Sequence, residues 1–184
     1  MLRLHLGCGE RYLEGYKHID YSAYTHIDHQ RPIYPLPFIK DASVDEIYCS
    51  HALEYFDYIE GLKVLKEWKR CLRKDGVLRL SVPDFDQLIK VYVKKKNDID
   101  SIIGPLFGRW EVEENKFIYH RTVYTKEKLI QILSQAGFSE MSEWDPLEFH
   151  GCRSDSFDDY SKAYFPHMDF KEGFPISINI IGKV

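Results

Sequence analysis

The sequence predicts an α/β fold, a mainly parallel sheet with helices on both faces. Short apolar runs of strand length alternate with stretches whose apolar residues recur at helical spacing. The first of those runs stops at a glycine turn, Gly7-Cys8-Gly9, as the strand-to-ligand turns of open parallel sheets do. The third observation is size and composition. At 184 residues, 44% apolar and 29% charged, the chain suits one domain spanning 1–184 with a substantial core.

Leu2 to Leu6 alternates apolar with polar and reads as the first strand, entering Gly7. Lys17 to Asp20 is a short second strand, and Tyr24 to Asp28 is a candidate third. Arg31 to Phe38 holds three prolines and must be an extended loop, since proline lacks the N–H that a helix or central strand needs. Ser43 to Ser50 reads as a buried strand. Leu62, Leu65, Trp68 and Leu72 then share one helix face, and the helix is expected to stop at Gly76 in the left-handed conformation. Val77 to Val82 is a strand closed by Pro83. Thr125 is a plausible N-cap for a helix with Leu129, Ile132, Leu133 and Ala136 on one stripe and Gly137 at its stop. Phe138 to Trp144 and Ile176 to Ile181 complete the strands. The region from about 98 to 124 is irregular, and "GPLFGRW" followed by an acidic run suggests a lid or acceptor-binding excursion, or else a plain surface loop.

The net charge of −4 argues against a nucleic-acid partner, which needs a basic surface facing the phosphates. Lys94-Lys95-Lys96 reads as a solvated helix end. The four cysteines, Cys8, Cys49, Cys71 and Cys152, form no CxxC pair, so no metal site is expected. No signal peptide and no membrane span is read from the sequence, and the default location is a reducing cytoplasm.

Glycine at positions 7 and 9 lets the backbone approach a ligand closely, because no Cβ intervenes. Asp20, at the tip of the second strand, could accept hydrogen bonds from both hydroxyls of a ribose. Turn and acid together make a nucleoside-binding arrangement. A nicotinamide dinucleotide fits less well. Tyr12 stands where GxGxxG needs its third glycine, and only ten residues separate Gly9 from Asp20, against the roughly 20 that the dinucleotide fingerprint expects.

The series "LHLGCGE", "HIDYS", "LPFIKDASVDEIYCSHALEYF", "VLKEWKRCLRKDGVLRLSVPDF" and "TKEKLIQILSQAGF" resembles, in order and spacing, the class I S-adenosylmethionine-dependent methyltransferases. It looks most like a small bacterial group, of the type-11 kind, in which the first crossover helix is abbreviated. The tail "DDYSKAYFPHMDF" with "PISINIIG" is similar to the ending of that group. The resemblance implies a Rossmann-like seven-stranded sheet with the last strand antiparallel. It implies S-adenosyl-L-methionine as cofactor and S-adenosyl-L-homocysteine as product. Gly7, Cys8 and Gly9 would lie against the methionine part, Asp20 on the ribose, and Tyr21 beside the adenine. Asp28 and His29 would contact the adenine ring, and Ser50 and His51 would line the methionine end. One departure stands out: the family's acid two residues before the first glycine, which helps hold the cofactor's ammonium, is His5 here.

For methyl transfer the candidate bases are Asp84, after the fifth strand, and His120, before the Thr125 helix; the alternatives are a helix cap and a surface histidine. His167, in an aromatic stretch, is a weaker candidate, and Arg109 and Arg121 could hold an anionic acceptor. The family's association with surface-polysaccharide pathways suggests a small-molecule or sugar-containing acceptor, which is analogy. A catalytically silent cofactor-binding protein of the same fold is the alternative, fed by His5. An aromatic surface for self-association, and so a homo-oligomer, is a further expectation.

Overall fold

The computed structural model describes residues 1–150, 159–167 and 169–184; Cys152 and Asp158 lie outside these. The strands of the main sheet are β1 (Arg3–Leu6), β2 (Lys17–Asp20), β3 (His29–Gln30), β4 (Val44–Ser50) and β5 (Leu72–Pro83), followed late in the chain by β8 (Ser139–Glu143) and β11 (Ser177–Lys183). Helix α1 (Tyr58–Cys71) precedes β5; α2 (Phe85–Lys94), α3 (Ile103–Phe107), the hairpin β6 (Trp110–Glu113) and β7 (Lys116–Ile118) and α4 (Lys126–Ala136) fall between β5 and β8; α5 (Pro146–His150) and the short pair β9 (Tyr164–Phe165) and β10 (Phe174–Pro175) fall between β8 and β11.

The sheet runs β3-β2-β1-β4-β5-β11-β8. Strands β1 to β5 pair parallel, and β11 inserts antiparallel between β5 and β8. Chain order reverses direction at β1 and β4, so a crevice opens beyond their carboxyl ends.

Alternation along each strand decides the two faces. Leu4, Leu6, Ile47, Cys49, Leu78 and Leu80 are buried together with Val64, Leu65 and Trp68 of α1 and Leu129, Ile132 and Leu133 of α4. The opposite face carries His5 and Tyr48, paired in register, under an aromatic cluster of Tyr16, Trp144 and Phe149. Burying apolar surface on both faces gives a parallel sheet its near-continuous apolar strands.

Local signals explain the helix ends. Asp57 caps α1 by accepting from Ile59 and Glu60 N–H, Asp84 caps α2 through Gln87 N–H at 3.2 Å, and Thr125 caps α4 through Lys128 N–H at 3.2 Å. Gly137 closes α4 at φ +93°.

Three boundaries differ from the sequence-based expectation. Helix α1 ends at Cys71 and Leu72 already opens β5; the left-handed residue beyond it is Asp75 (φ +62°), with Gly76 at negative φ. Aspartate is among the few non-glycine residues that adopt that conformation with some frequency, so the neighbouring glycine was a misleading cue. The third strand is His29–Gln30, whereas Tyr24 to Asp28 is loop, because Asp28 N–H and its carboxylate are both spent on His18 main-chain atoms. The irregular stretch 98–124 is ordered: it holds α3 and the β6–β7 hairpin.

Candidate active site

A cavity of about 670 Å³ lies over the carboxyl ends of β1, β2 and β4. That is within the range of pockets enclosing a drug-sized molecule.

Its floor is the glycine turn. Gly7 (φ +66°) donates its N–H to Ile19 O, and a Cβ on it would stand 2.6 Å from the Ala52 Cβ. Gly9 (φ +53°) presents its N–H to Asp20 Oδ2 at 2.8 Å. The other Asp20 oxygen accepts Ser22 N–H at 2.8 Å. Each oxygen of this buried carboxylate keeps a further lone pair beyond its main-chain bond. The carboxylate therefore ties the turn to β2 and still lines the cavity. No helix follows the turn, so anionic groups find no dipole there. Cys8 is a buried thiol, raised to about 12 by burial and by the neighbouring Asp20 charge; it is inert at neutral pH.

The back of the cavity is built by the end of β4. Ser50 donates its hydroxyl to Asp159 Oδ1 at 2.7 Å, and the same oxygen accepts Tyr48 OH at 2.8 Å and Ser161 N–H at 2.8 Å. Burial would raise the Asp159 pKa, but His150 and these donors outweigh it and hold the carboxyl below its usual range. A negative charge thus sits at the cavity's edge. His5, by contrast, is buried and pushed down to about 3 by burial, so it stays neutral. Beside it, Arg11 lies over the Tyr160 ring at 4.3 Å.

His51, at φ +51°, faces a buried acid. Ser177 spends its hydroxyl proton on Tyr160 O, so His51 Nε2 must donate to Ser177 Oγ at 2.8 Å, leaving Nδ1 bare. His120 Nδ1 bonds Pro105 O at 3.1 Å, and a carbonyl only accepts, which leaves His120 Nε2 bare. Both bare nitrogens point at Glu54 Oε1, at 3.7 and 3.6 Å. Burial lowers both imidazoles, His51 to about 3, and raises Glu54 to about 8. Two neutral rings and a neutral acid are the consistent protonation state at pH 7.

The roof is the hairpin. Trp110, Val112 and Ile118 face inward while Glu111 and Glu113 face solvent, a period-2 alternation. Trp110 covers Gly9, whose Cβ would lie 3.3 Å from the indole. Tyr21, following Asp20, latches the hairpin: its hydroxyl bonds Glu113, and Lys116 Nζ donates to it at 3.1 Å.

Among the residues the sequence singled out, Gly7, Cys8, Gly9, Asp20, Tyr21, Ser50 and His51 all line the cavity. Asp28 and His29 do not. Asp28 is held by Lys17 and His18 N–H, and His29 packs on Phe38; the loop after β3 contributes Pro32 and Ile33 instead. Asp84 is spent as the α2 cap, and His120 sits behind the cavity with its two neighbours, Tyr119 and Arg121, in the lining. Arg121 is engaged by Glu60 and Asp57. Sequence reasoning missed Asp159, which is remote along the chain, and Trp110 and Ile118, although the alternation in "WEVEENKFI" was a usable hairpin signal. Among the described residues no cluster of metal ligands is present, and no helix is long and apolar enough to cross a membrane.

Strand order, with the glycine turn at the end of β1, gives the chain a Rossmann-like α/β fold. Residues 4–80 match the family described as "Methyltransferase domain". An uncharacterized protein of Methanocaldococcus jannaschii is 32% identical over 115 residues, 61% of this chain; the chain spans about half the length of that relative, 48% of it. A SAM-dependent methyltransferase of Thermotoga maritima superimposes with TM-score 0.56 at 20% identity over 99% of this chain and 81% of that one. The 1,6-didemethyltoxoflavin-N1-methyltransferase of Burkholderia thailandensis, solved with S-adenosylhomocysteine, gives 0.55 at 11% identity over 99% and 70%. These likenesses share the fold.

Proposed function

We propose that the chain works as one methyltransferase domain that binds S-adenosylmethionine in this cavity and passes its methyl group to a small-molecule or sugar-containing acceptor. The observation that carries the reading is the pairing of Gly9 N–H with a buried Asp20 carboxylate that still faces the crevice.

The residues fit the cofactor. Gly7 and Gly9 leave room where any Cβ would intrude, Asp20 offers its remaining lone pairs to the ribose hydroxyls, and Tyr21, Pro32 and Ile33 wall the adenine. Asp159 supplies the negative charge at the methionine end that His5 does not. When bound, the cofactor supplies a methyl on a sulfonium, whose leaving group is neutral. The chain's task is then chiefly placement and exclusion of water. Trp110 and the hairpin close the top, residues 98–124 serving as the lid, and the Tyr21 latch holds it down. Cys8, Cys49 and Cys71 are unpaired thiols, which suits a reducing cytoplasm.

Calorimetric titration with S-adenosylmethionine and S-adenosylhomocysteine tests the cofactor assignment, and silence at millimolar ligand refutes it. Transfer of labelled methyl to components of a cell extract then tests activity. Binding without any transfer would select the second reading, a cofactor-binding protein without catalysis. That reading is favoured by the engagement of the lining's Glu60 with Arg121 and of the His51 ring with Ser177.

A further inference from the structure

The cofactor-binding groups gather on the floor and back of the cavity, and the rest of its wall is of another chemistry. Tyr34, Phe56, Trp110, Val112, Phe117 and Ile118 line it from three separate segments. Tyr34 and Phe56 meet edge to face at 6.5 Å, whereas the Phe117 ring, opposite Glu111 in the hairpin, is already covered by the Arg109 guanidinium. The charged residues on this wall are already engaged: Arg121 with Glu60 and Asp57, and Lys116 with Glu113 and Tyr21. A polyhydroxylated acceptor desolvated here would strand several hydroxyls, each costing about 1–3 kcal/mol. A flat apolar body would lose little and would gain stacking contacts.

The same wall restricts the nucleophile. Glu60 is held by Arg121, Asp20 by two main-chain N–H groups, and the His51 ring by Ser177 while its bare nitrogen faces Glu54. His5 Nδ1 and Asp159 Oδ2 have no hydrogen-bond partner among the described residues, but both lie at the back of the cavity with the cofactor-binding groups. None of the described groups on this wall is therefore placed to take a proton from an acceptor hydroxyl before attack. An amine that is neutral at pH 7 needs no such step.

Resting on the methyltransferase reading, we infer that the acceptor is a planar aromatic amine of one or two fused rings, its body against Phe56 and Tyr34 and its nitrogen toward the floor. In the transfer the nitrogen lone pair forms the new N–C bond. The S–C bond breaks with its pair retained on sulfur, and the surplus N–H proton leaves to water.

The test uses 6-aminoquinoline as probe, with glucosamine and UDP-glucose as controls, followed by saturation-transfer NMR and calorimetry on the full chain with and without S-adenosylhomocysteine. The expected result is saturable 6-aminoquinoline binding, weakened about tenfold by Phe56→Ala, the scale of one lost aromatic contact. S-adenosylhomocysteine affinity should stay within about threefold in that variant, which also certifies its folding; Tyr34→Leu serves as the second variant if it does not. Sugar probes that bind where 6-aminoquinoline does not, or 6-aminoquinoline binding indifferent to both substitutions, would overturn the inference. Aromatic binding without any S-adenosylhomocysteine binding would uphold this wall and overturn the cofactor assignment instead.

Discussion

Replacing Asp20 removes the group on which the floor of the cavity depends. Its carboxylate accepts two main-chain N–H bonds, from Gly9 at 2.8 Å and Ser22 at 2.8 Å, and in the proposed complex it also accepts from the ribose. In Asp20→Ala the ribose hydroxyls lose their acceptor and Gly9 N–H loses its partner. The loss of affinity should be about 1–3 kcal/mol, or roughly 5- to 150-fold in the S-adenosylhomocysteine dissociation constant. Asp20→Asn sharpens the test, because an amide has one acceptor oxygen. Whichever way it turns, its NH₂ group meets either Gly9 N–H or Ser22 N–H donor to donor. The isosteric variant should therefore also bind more weakly and melt at a lower temperature than wild type. The assay is isothermal titration with S-adenosylhomocysteine, with circular dichroism confirming that each variant is folded. Dissociation constants within about threefold of wild type for both variants would refute the assignment of Asp20 to the ribose.

Gly7→Ala places a Cβ 2.6 Å from that of Ala52 on a residue at φ +66°, so it should cost about 1–3 kcal/mol of stability and abolish cofactor binding; chemical denaturation and titration check both. Glu54 is buried with a folded pKa near 8 against an ordinary value of 4.5. The folded state thus binds the extra proton, and stability from this group is full below about pH 4.5 and is lost as pH rises through 8. His5 and His51, lowered to about 3, act oppositely, gaining stability as pH rises from 3 to 6.5. Those histidine contributions cancel in the difference between Glu54→Gln and wild type. That difference should favour the variant increasingly from pH 5 to pH 8, as urea denaturation at three pH values would show; a difference independent of pH would mean that Glu54 is ionised throughout. Tyr21→Phe removes the hydroxyl that joins Glu113 and Lys116; because the site is exposed, the melting temperature should stay close to that of wild type. Release of S-adenosylhomocysteine, followed by stopped-flow displacement, should nonetheless quicken about threefold on the scale of one weak contact, and an unchanged rate would separate the hairpin from ligand retention.

Much of this architecture is written locally. Caps such as Thr125 and Gly137 and the glycine turn after β1 act over a few residues, so residue types alone mark them. Asp84 shows the limit of that legibility: its position after β5 fits catalysis and capping equally, and only the bond to Gln87 N–H separates them. Asp28 and His29 stand a few residues too early because a two-residue β3 leaves almost no periodic signal with which to set register. Asp159 reaches Ser50 across 109 positions of the chain, and no local pattern encodes such a meeting. The hairpin is different. Its alternation was readable, but its exposed glutamates made it look like an acidic loop.

The antiparallel placement of β11 has a consequence for biosynthesis. Residues 177–183 are hydrogen-bonded on one side to β5 and on the other to β8, both completed earlier in translation. Until that segment emerges from the ribosome, the facing edges of β5 and β8 lie unpaired and open to other chains. Cooperative folding of this sheet must then await residues 177–183, and a product stopped before Ser177 should accumulate as aggregate.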